Sequence, residues 1–406
     1  MPEVLETPRR LLLLAPAGLA LPLLHCTIVE RTSRHTLVQD ARKLKAEALL
    51  LWLTDAAEVA DWLRPLAHLS EPLPVVAIVP GASPEDQRRG FDLGVQFWLE
   101  TASELPAALR WAQWQFQRIR EAQARMEDRQ WTERAKGLLM HACALDEPAA
   151  HGLLRDTAMQ ARLRLPELAR SVVQAAKLAE GVNLAGQQRM LSQRIVKLMA
   201  QRAAAIESKR AKVLQDESAA RVEANLARLA QLRPASELAS VNSAWAGLKP
   251  LLSGKPSADS LRQADAAAQA LLEHSEHLTQ TIEAAGASKP LHLVNVCGRQ
   301  RMLSQRLAKQ ALLADLLTGF AAGDIAAQLE AFTAGLTELE AAPLSSPAIR
   351  TRLAEAHEEW LRLLRSLRET SGPEAASGMA RSSEVLLGHF DQLTTQYQQS
   401  LQLILA

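Results

Sequence analysis

The residues with the most chemistry to offer are two arginines inside a decapeptide that occurs twice, Gly186-Gln-Gln-Arg-Met-Leu-Ser-Gln-Arg-Ile195 and Gly298-Arg-Gln-Arg-Met-Leu-Ser-Gln-Arg-Leu307. Eight of the ten positions are identical, and Asn183 and Asn295 extend the match at the same spacing of 112 residues. On a helical wheel Arg189 falls among Val182, Ala185, Ser192, Gln193 and Val196, and Arg301 among Val294, Cys297, Ser304, Gln305 and Ala308. The far side of the first helix carries Leu184, Leu191, Ile195 and Leu198, so this helix is apolar nearly all round and belongs inside a bundle. A guanidinium keeps its charge there and has to be met by an anion. Two such forks facing each other across a pseudo-twofold repeat suit a small planar oxyanion with several acceptor oxygens, a description that nitrate and nitrite fit. The competing reading is that the arginines pair with bundle carboxylates or extend along their stems to solvent. Arg194 and Arg306, five residues further on, lie on another face and read as structural.

The repeated segment resembles the nitrate- and nitrite-sensing helical domains of NarX-like, NasR-like and PilJ-like proteins, whose helices carry Gly-x-x-Arg-Met-x-Ser-x-Arg. The resemblance runs from about residue 180 to the C-terminus. It implies that the arginine before Met, here Arg189 and Arg301, contacts nitrate or nitrite.

Around these helices, a chain of 406 residues with 48% hydrophobic content exceeds one ordinary core, so two or three domains are expected. Aromatics make up only 4%, which favours helices packed by aliphatic side chains. With 46 basic and 45 acidic residues, overall charge recruits no polyanion, and any nucleic-acid site must be a local patch. Cys26, Cys143 and Cys297 stand alone, with neither a disulfide framework nor metal-ligand spacing. No metal or cofactor is expected. The ten histidines form no His-Glu-x-x-His, and no Gly-rich phosphate loop occurs, so the chain is read as a non-enzyme.

Arg9-Arg10 and the apolar run Leu11 to Leu24 have the composition of a secretory leader, but Pro16, Gly18 and Pro22 interrupt it. Similar blocks recur at Ala48 to Leu53 and Leu73 to Val79, alternating with helical stretches near 36–46, 56–68 and 84–93. This is a doubly wound α/β pattern over roughly residues 8–115, and no segment forms an uninterrupted membrane span. It resembles a response-regulator receiver domain. That resemblance requires an acidic pair after the first strand, an Asp after the third, a hydroxyl residue after the fourth and a Lys after the fifth. Here Ala15 and Pro16, Trp52, Val79 and Glu100 hold those places, and Asp55 comes three positions late, so the domain reads as a pseudoreceiver without phosphoryl chemistry.

A long polar helix is expected over Glu104 to Arg134, a weak coiled-coil seam, followed by three short helices in Trp131–Met140, Asp146–Arg155 and Ala158–Ala169. The run Ala135-Lys-Gly-Leu-Leu-Met140, with Leu153-Leu-Arg155, Ala158-Met159 and Arg164-Leu165, resembles the ANTAR domain, a three-helix RNA-binding module of transcription antiterminators. It makes Lys136, Arg155, Arg162 and Arg164 the candidate RNA contacts, with solvated surface charge as the plain alternative for each. Beyond it, helices are interrupted at 232–234, 254–257, 286–290, 342–347 and 371–373, which divides the C-terminal part into two bundle halves near Lys289-Pro290.

The expected organisation is therefore a receiver-like α/β domain over 1–115, a linker helix and ANTAR-like module over 116–178, and a duplicated all-α sensing bundle over 179–406. The helix leaving Ala169 is expected to run into the Arg189 helix. Together these features point to a cytoplasmic regulator that senses nitrate or nitrite and controls antitermination on leader RNA stem-loops for nitrate assimilation. Its partners are then RNA, a small inorganic anion and further copies of itself as a homodimer or higher oligomer, with no membrane. The alternative is a helical protein-interaction scaffold or a chemoreceptor-like signalling protein.

Overall fold

The computed structural model describes residues 10–15, 28–33, 35–64, 72–286, 289–320, 323–342, 346–368 and 372–405. They divide between two compact units, Met1–Arg129 and Gln130–Ala406.

In the first unit, strands β1 (Arg10–Leu14), β2 (Ile28–Arg31), β3 (Ala48–Trp52), β4 (Val75–Ile78) and β5 (Val95–Leu99) form a parallel sheet in the order β2-β1-β3-β4-β5. The inner strands β1, β3 and β4 are runs of Leu, Val, Ala and Ile because both of their faces are covered. Leu12, Leu49, Leu51 and Ala77 pack with Leu37 of α1 (Leu37–Leu44) and Val59 of α2 (Glu58–Leu63). On the opposite face, Leu11, Leu13, Leu50 and Ile78 meet Leu105, Ala108, Leu109 and Ala112 of the long helix α4 (Leu105–Cys143). Between β4 and β5, α3 (Pro84–Asp92) opens on a capping box: Ser83 accepts from the Asp86 amide at 3.2 Å, and Pro84 takes the first turn.

This strand order places ligands at the carboxyl ends of the strands, beside the β1/β3 switch point. Ala15 follows β1 there, Trp52 ends β3, and Val79 and Glu100 follow β4 and β5. Asp55 accepts a hydrogen bond from the Ala57 amide at 2.9 Å, and no metal-binding cluster of acidic, His or Cys side chains occurs among the described residues. Pro16, Cys26 and the rest of the early apolar run lie outside the described residues.

Two of the expected helices need redrawing. The polar helix and the first short helix of the module are one continuous element, α4, because nothing between Glu104 and Met140 after Pro106 interrupts a helix. Ala158 closes α5 (Glu147–Ala161) instead of opening a third helix; the chain turns at Arg162, whose backbone is left-handed (φ 57°). The next helix, α6 (Leu165–Ala203), starts with Pro166 in its first turn, the place in a helix where the missing N–H costs nothing. As expected, α6 carries straight on to Arg189. The boundaries drawn at 115 and 178 consequently fall inside α4 and α6.

The second unit continues with α7 (Ser208–Leu232), α8 (Ala235–Leu248) and α9 (Ala258–Gly286), then α10 (Lys289–Leu316), α11 (Ile325–Glu340), α12 (Pro347–Arg368) and α13 (Pro373–Leu405). Helices α6 to α9 form one half and α10 to α13 the other, parting at Lys289 as the repeat predicts. In the first half α6 packs on α7 and α9, in the second α10 packs on α11 and α13, and the most extensive packing joins α6 to α10. No helix of the described residues is long and apolar enough to cross a membrane.

A Cβ on Gly90 would stand 2.2 Å from Cζ3 and 2.8 Å from Cε3 of Trp98, so the ring sets the spacing of α3 on the sheet. Gly90→Ala is expected to destabilise the first unit by about 1–3 kcal/mol in urea unfolding. Gly152→Ala, where a Cβ meets nothing within 4 Å, should be neutral or stabilising.

Candidate anion site

Gly186 and Gly298 bring α6 and α10 together: a Cβ on either would lie 3.8 Å from the Cα of the other. The absence of side chains at this crossing leaves room for the two arginines one turn further along. Arg189 and Arg301 are both buried, at 0% and 1% exposure. Their Nη2 atoms converge, since a Cβ on Gly298 would stand 3.0 Å from that of Arg189 and 3.4 Å from that of Arg301.

Each guanidinium reaches across the pseudo-twofold. Arg189 Nη2 donates to Asn295 Oδ1 at 2.7 Å, and Arg301 Nη2 donates to Asn183 Oδ1 at 2.8 Å. The outer nitrogens meet carboxylates from the flanking helices, Arg189 Nη1 to Glu276 of α9 at 2.5 Å and Arg301 Nη1 to Asp391 of α13 at 2.5 Å. A third guanidinium, Arg299, bonds the other Glu276 oxygen at 3.1 Å. Burial works to raise the Glu276 pKa, but the Arg189 charge and hydrogen bond outweigh it and hold the carboxyl below its usual range. The two arginines thus have carboxylate partners, as the competing sequence reading held. Yet Nε of each is buried without an acceptor, and the three guanidiniums exceed the two carboxylates by one charge.

The surrounding bonds repeat in both halves. Ser192 and Ser304 donate to the carbonyls of Arg189 and Arg301, each at 2.8 Å, while Gln188 and Gln300 donate to the carbonyls of Val222 and Phe332. The asparagines differ in their onward contacts. Asn295 donates to Glu283, which bonds His292 at 2.7 Å, and His292 reaches Glu338 at 2.8 Å. Burial disfavours the charged imidazole, but Glu283 and Glu338 prevail and raise the His292 pKa. Asn183 instead donates to Gln398 of α13 at 3.4 Å.

Two turns along α6, Lys197 is fully buried with its ammonium on Glu384 at 2.6 Å, Gln305 at 2.6 Å and Ser383 at 2.9 Å. Arg194 grips the same carboxylate through Nη2 at 2.6 Å, which bears out its structural reading. The counterpart of Lys197 in the second half, Lys309, bonds Asp265. Cys297, beside Arg301, is pushed up to about 12 by burial and is chemically quiet.

The candidate RNA residues separate. Arg155, Arg162 and Arg164 are exposed along the end of α5 and the turn after it; Arg155 pairs with Asp156 at 3.1 Å and Arg164 with Glu167 at 2.6 Å. Lys136 is buried, and its ammonium is taken by Glu133 at 2.9 Å and Glu147 at 2.6 Å. It ties α4 to the start of α5, so its charge is spent within the module. Glu133 stands at helical spacing from Lys136, but Glu147 lies eleven residues away, beyond any such spacing, so the second carboxylate leaves no local signal. The sequence repeat likewise leaves Glu276 and Asp391 unmarked, since their positions do not share the 112-residue register.

A family model described as ANTAR domain matches residues 120–173. A second, described as type IV pili methyl-accepting chemotaxis transducer N-term, matches twice, over residues 172–275 and 270–385. The two transducer matches together span more than half of the chain. The chain belongs to this family. The paired matches fall on the two helical halves, and the ANTAR match covers the end of α4, α5 and the start of α6. The molecule is thus an ANTAR-type RNA-binding regulator carrying a sensory helical domain. No curated protein and no solved structure matches the chain.

Burial tends to raise the Glu384 pKa, but Lys197 and Arg194 lower it to about 2 from 4.5. A depressed carboxyl stabilises the fold above its unfolded pKa and loses that contribution as pH falls through the folded one. Stability should therefore decline between pH 4.5 and about 2 as Glu384 takes up its proton. Glu384→Gln is expected to cost about 3 kcal/mol at pH 7, because it strands a buried ammonium, and to flatten that acid limb in urea titrations.

Proposed function

We propose that this chain is a cytoplasmic, non-enzymatic regulator that senses nitrate or nitrite between Arg189 and Arg301 and controls antitermination on leader RNA stem-loops. The observation that carries the reading is the pair of buried, acceptor-less Nε atoms beside converging Nη2 atoms. A guanidinium offers Nε and Nη2 as a parallel fork, so two forks present four N–H groups to a trigonal oxyanion. The converging positive charge favours an anion between the two forks. Chloride carries the charge but has neither the planar shape nor several separate acceptor atoms.

To use both forks the anion takes the place of the Asn183 and Asn295 oxygens on Nη2. The arginines keep their carboxylates, and the freed amides carry the change outward along α13 and towards His292. Since α6 is a single helix from the ANTAR match through Arg189, movement at the crossing is movement of an ANTAR helix. Coupling of this kind amounts to about 1–3 kcal/mol, a fivefold to hundredfold change in RNA affinity. Nitrate assimilation is the natural setting for such control. Self-association is assigned to the stretch 117–127 of α4, exposed on every side and bearing Ile119 and Met126. The receiver-like unit, with Trp52 in place of a phosphoacceptor, serves as a docking or dimerisation module.

Nitrate is expected to raise the melting temperature in proportion to RT ln(1 + [L]/Kd), and chloride at equal ionic strength is expected not to. Arg189→Ala and Arg301→Ala should each abolish the nitrate shift; if both retain it, the anion site lies elsewhere and the scaffold reading gains. Acetyl phosphate with Mg²⁺ should give no phosphorylated species by mass spectrometry, and an acyl phosphate on Asp55 would overturn the pseudoreceiver assignment.

A further inference from the structure

On α4, Trp131, Arg134, Leu138 and His141 share one helical face. Arg134, Leu138 and His141 of this face, with Val173, Ala176, Lys177 and Glu180 of α6, wall a cleft of about 710 Å³ that Gln398 of α13 borders at one side, while Trp131 stands behind the two cations outside the lining. The charges in this cleft are arranged unusually. Arg134 Cζ stands 5.4 Å and Lys177 Nζ 5.8 Å from the centroid of the same Trp131 ring, so two cations from two helices crowd one indole. Among the described residues neither has an ion-pair partner. The carboxylate within the cleft, Glu180, accepts from Nε and Nη2 of Arg228, at 2.6 and 3.0 Å. Gly137 leaves the α4 backbone bare here, for a Cβ on it would meet nothing within 4 Å.

Two unneutralised cations, held by the Trp131 ring behind them and set above a floor of Leu138, Val173 and Ala176, combine phosphate ligands with apolar contact for an unpaired base. The volume leaves room for a nucleotide. We propose that this cleft is a phosphodiester-binding site for an unpaired RNA loop, in which Arg134 and Lys177 hold a backbone phosphate beside Trp131. The proposal rests on the RNA-binding reading and goes beyond it. Lys177 and Gln398 lie outside the ANTAR match, so the RNA site is composite, with one wall built by the sensory helices. Gln398 also accepts from Asn183, the amide that holds Arg301, which brings the RNA wall within two hydrogen bonds of the anion site.

The test uses the full-length chain and a pool of labelled RNA hairpins with randomised loops, titrated by fluorescence anisotropy at several salt concentrations. Arg134→Gln and Lys177→Gln should each weaken binding roughly five- to tenfold and lower the salt slope by about one, with Lys177→Arg restoring it. Gly137→Leu should also weaken binding while leaving the melting temperature unchanged or higher, because its side chain enters only the cleft. Wild-type binding that persists in all these variants would overturn the cleft while leaving the RNA reading intact, and loss confined to Arg155, Arg162 or Arg164 variants would do the same. No RNA binding by the wild type would overturn both. Equal capture of a polyglutamate peptide, lost in the same variants, would recast the cleft as a site for acidic peptides and overturn the proposal.

Discussion

Burying two arginines side by side demands counter-charge, acceptors and space, and the α6–α10 crossing draws each of these from a different source. Space comes from Gly186 and Gly298, whose missing side chains let the guanidiniums converge. Acceptors come from the asparagine on the opposite helix, and counter-charge from Glu276 and Asp391 on the flanking helices. The bundle halves are held in register because neither arginine can be satisfied by its own half. A buried polar network of this kind is costly if any member is lost, so it fixes one arrangement of helices where aliphatic packing alone tolerates several. The Lys197–Glu384–Gln305 cluster repeats the device two turns away, again joining residues of both halves.

The same helices serve two modules. No linker separates the ANTAR match from the sensory bundle, since α6 belongs to both. A helix bent or shifted at one end must be accommodated along its length, whereas a flexible connection would absorb the displacement.

Much of this architecture was legible in the chain itself. The inner strands β1, β3 and β4 show as apolar blocks, unlike the edge strands β2 and β5 with their polar residues, and the helix breaks show as Pro and Gly, because backbone chemistry acts over a few residues. The duplication exposed Arg189, Arg301 and both asparagines. What sequence could not reveal were contacts made between elements distant in the chain. Glu276 and Asp391 look like ordinary surface carboxylates on amphipathic helices, and nothing local marks them as arginine partners. Lys136 resembles a free surface cation until α5 folds back and brings Glu147 to it. Arg134 and Lys177 carry no local signal for the converse reason: only the packing of α4 on α6 sets them over one indole.

The two asparagines point to what is gained by placing both halves in one polypeptide. In a sensor made of two identical subunits every residue at the axis occurs in duplicate, and whatever one side reports the other must report too. Within a single chain the arginines have stayed equivalent while their neighbours diverged: Asn295 leads to a histidine held between two glutamates, and Asn183 leads to Gln398 beside the ANTAR helix. A duplicated bundle can thereby acquire separate contacts on each side, one running to a histidine between carboxylates and the other to a residue beside the ANTAR helix, with the arginine pair itself unaltered.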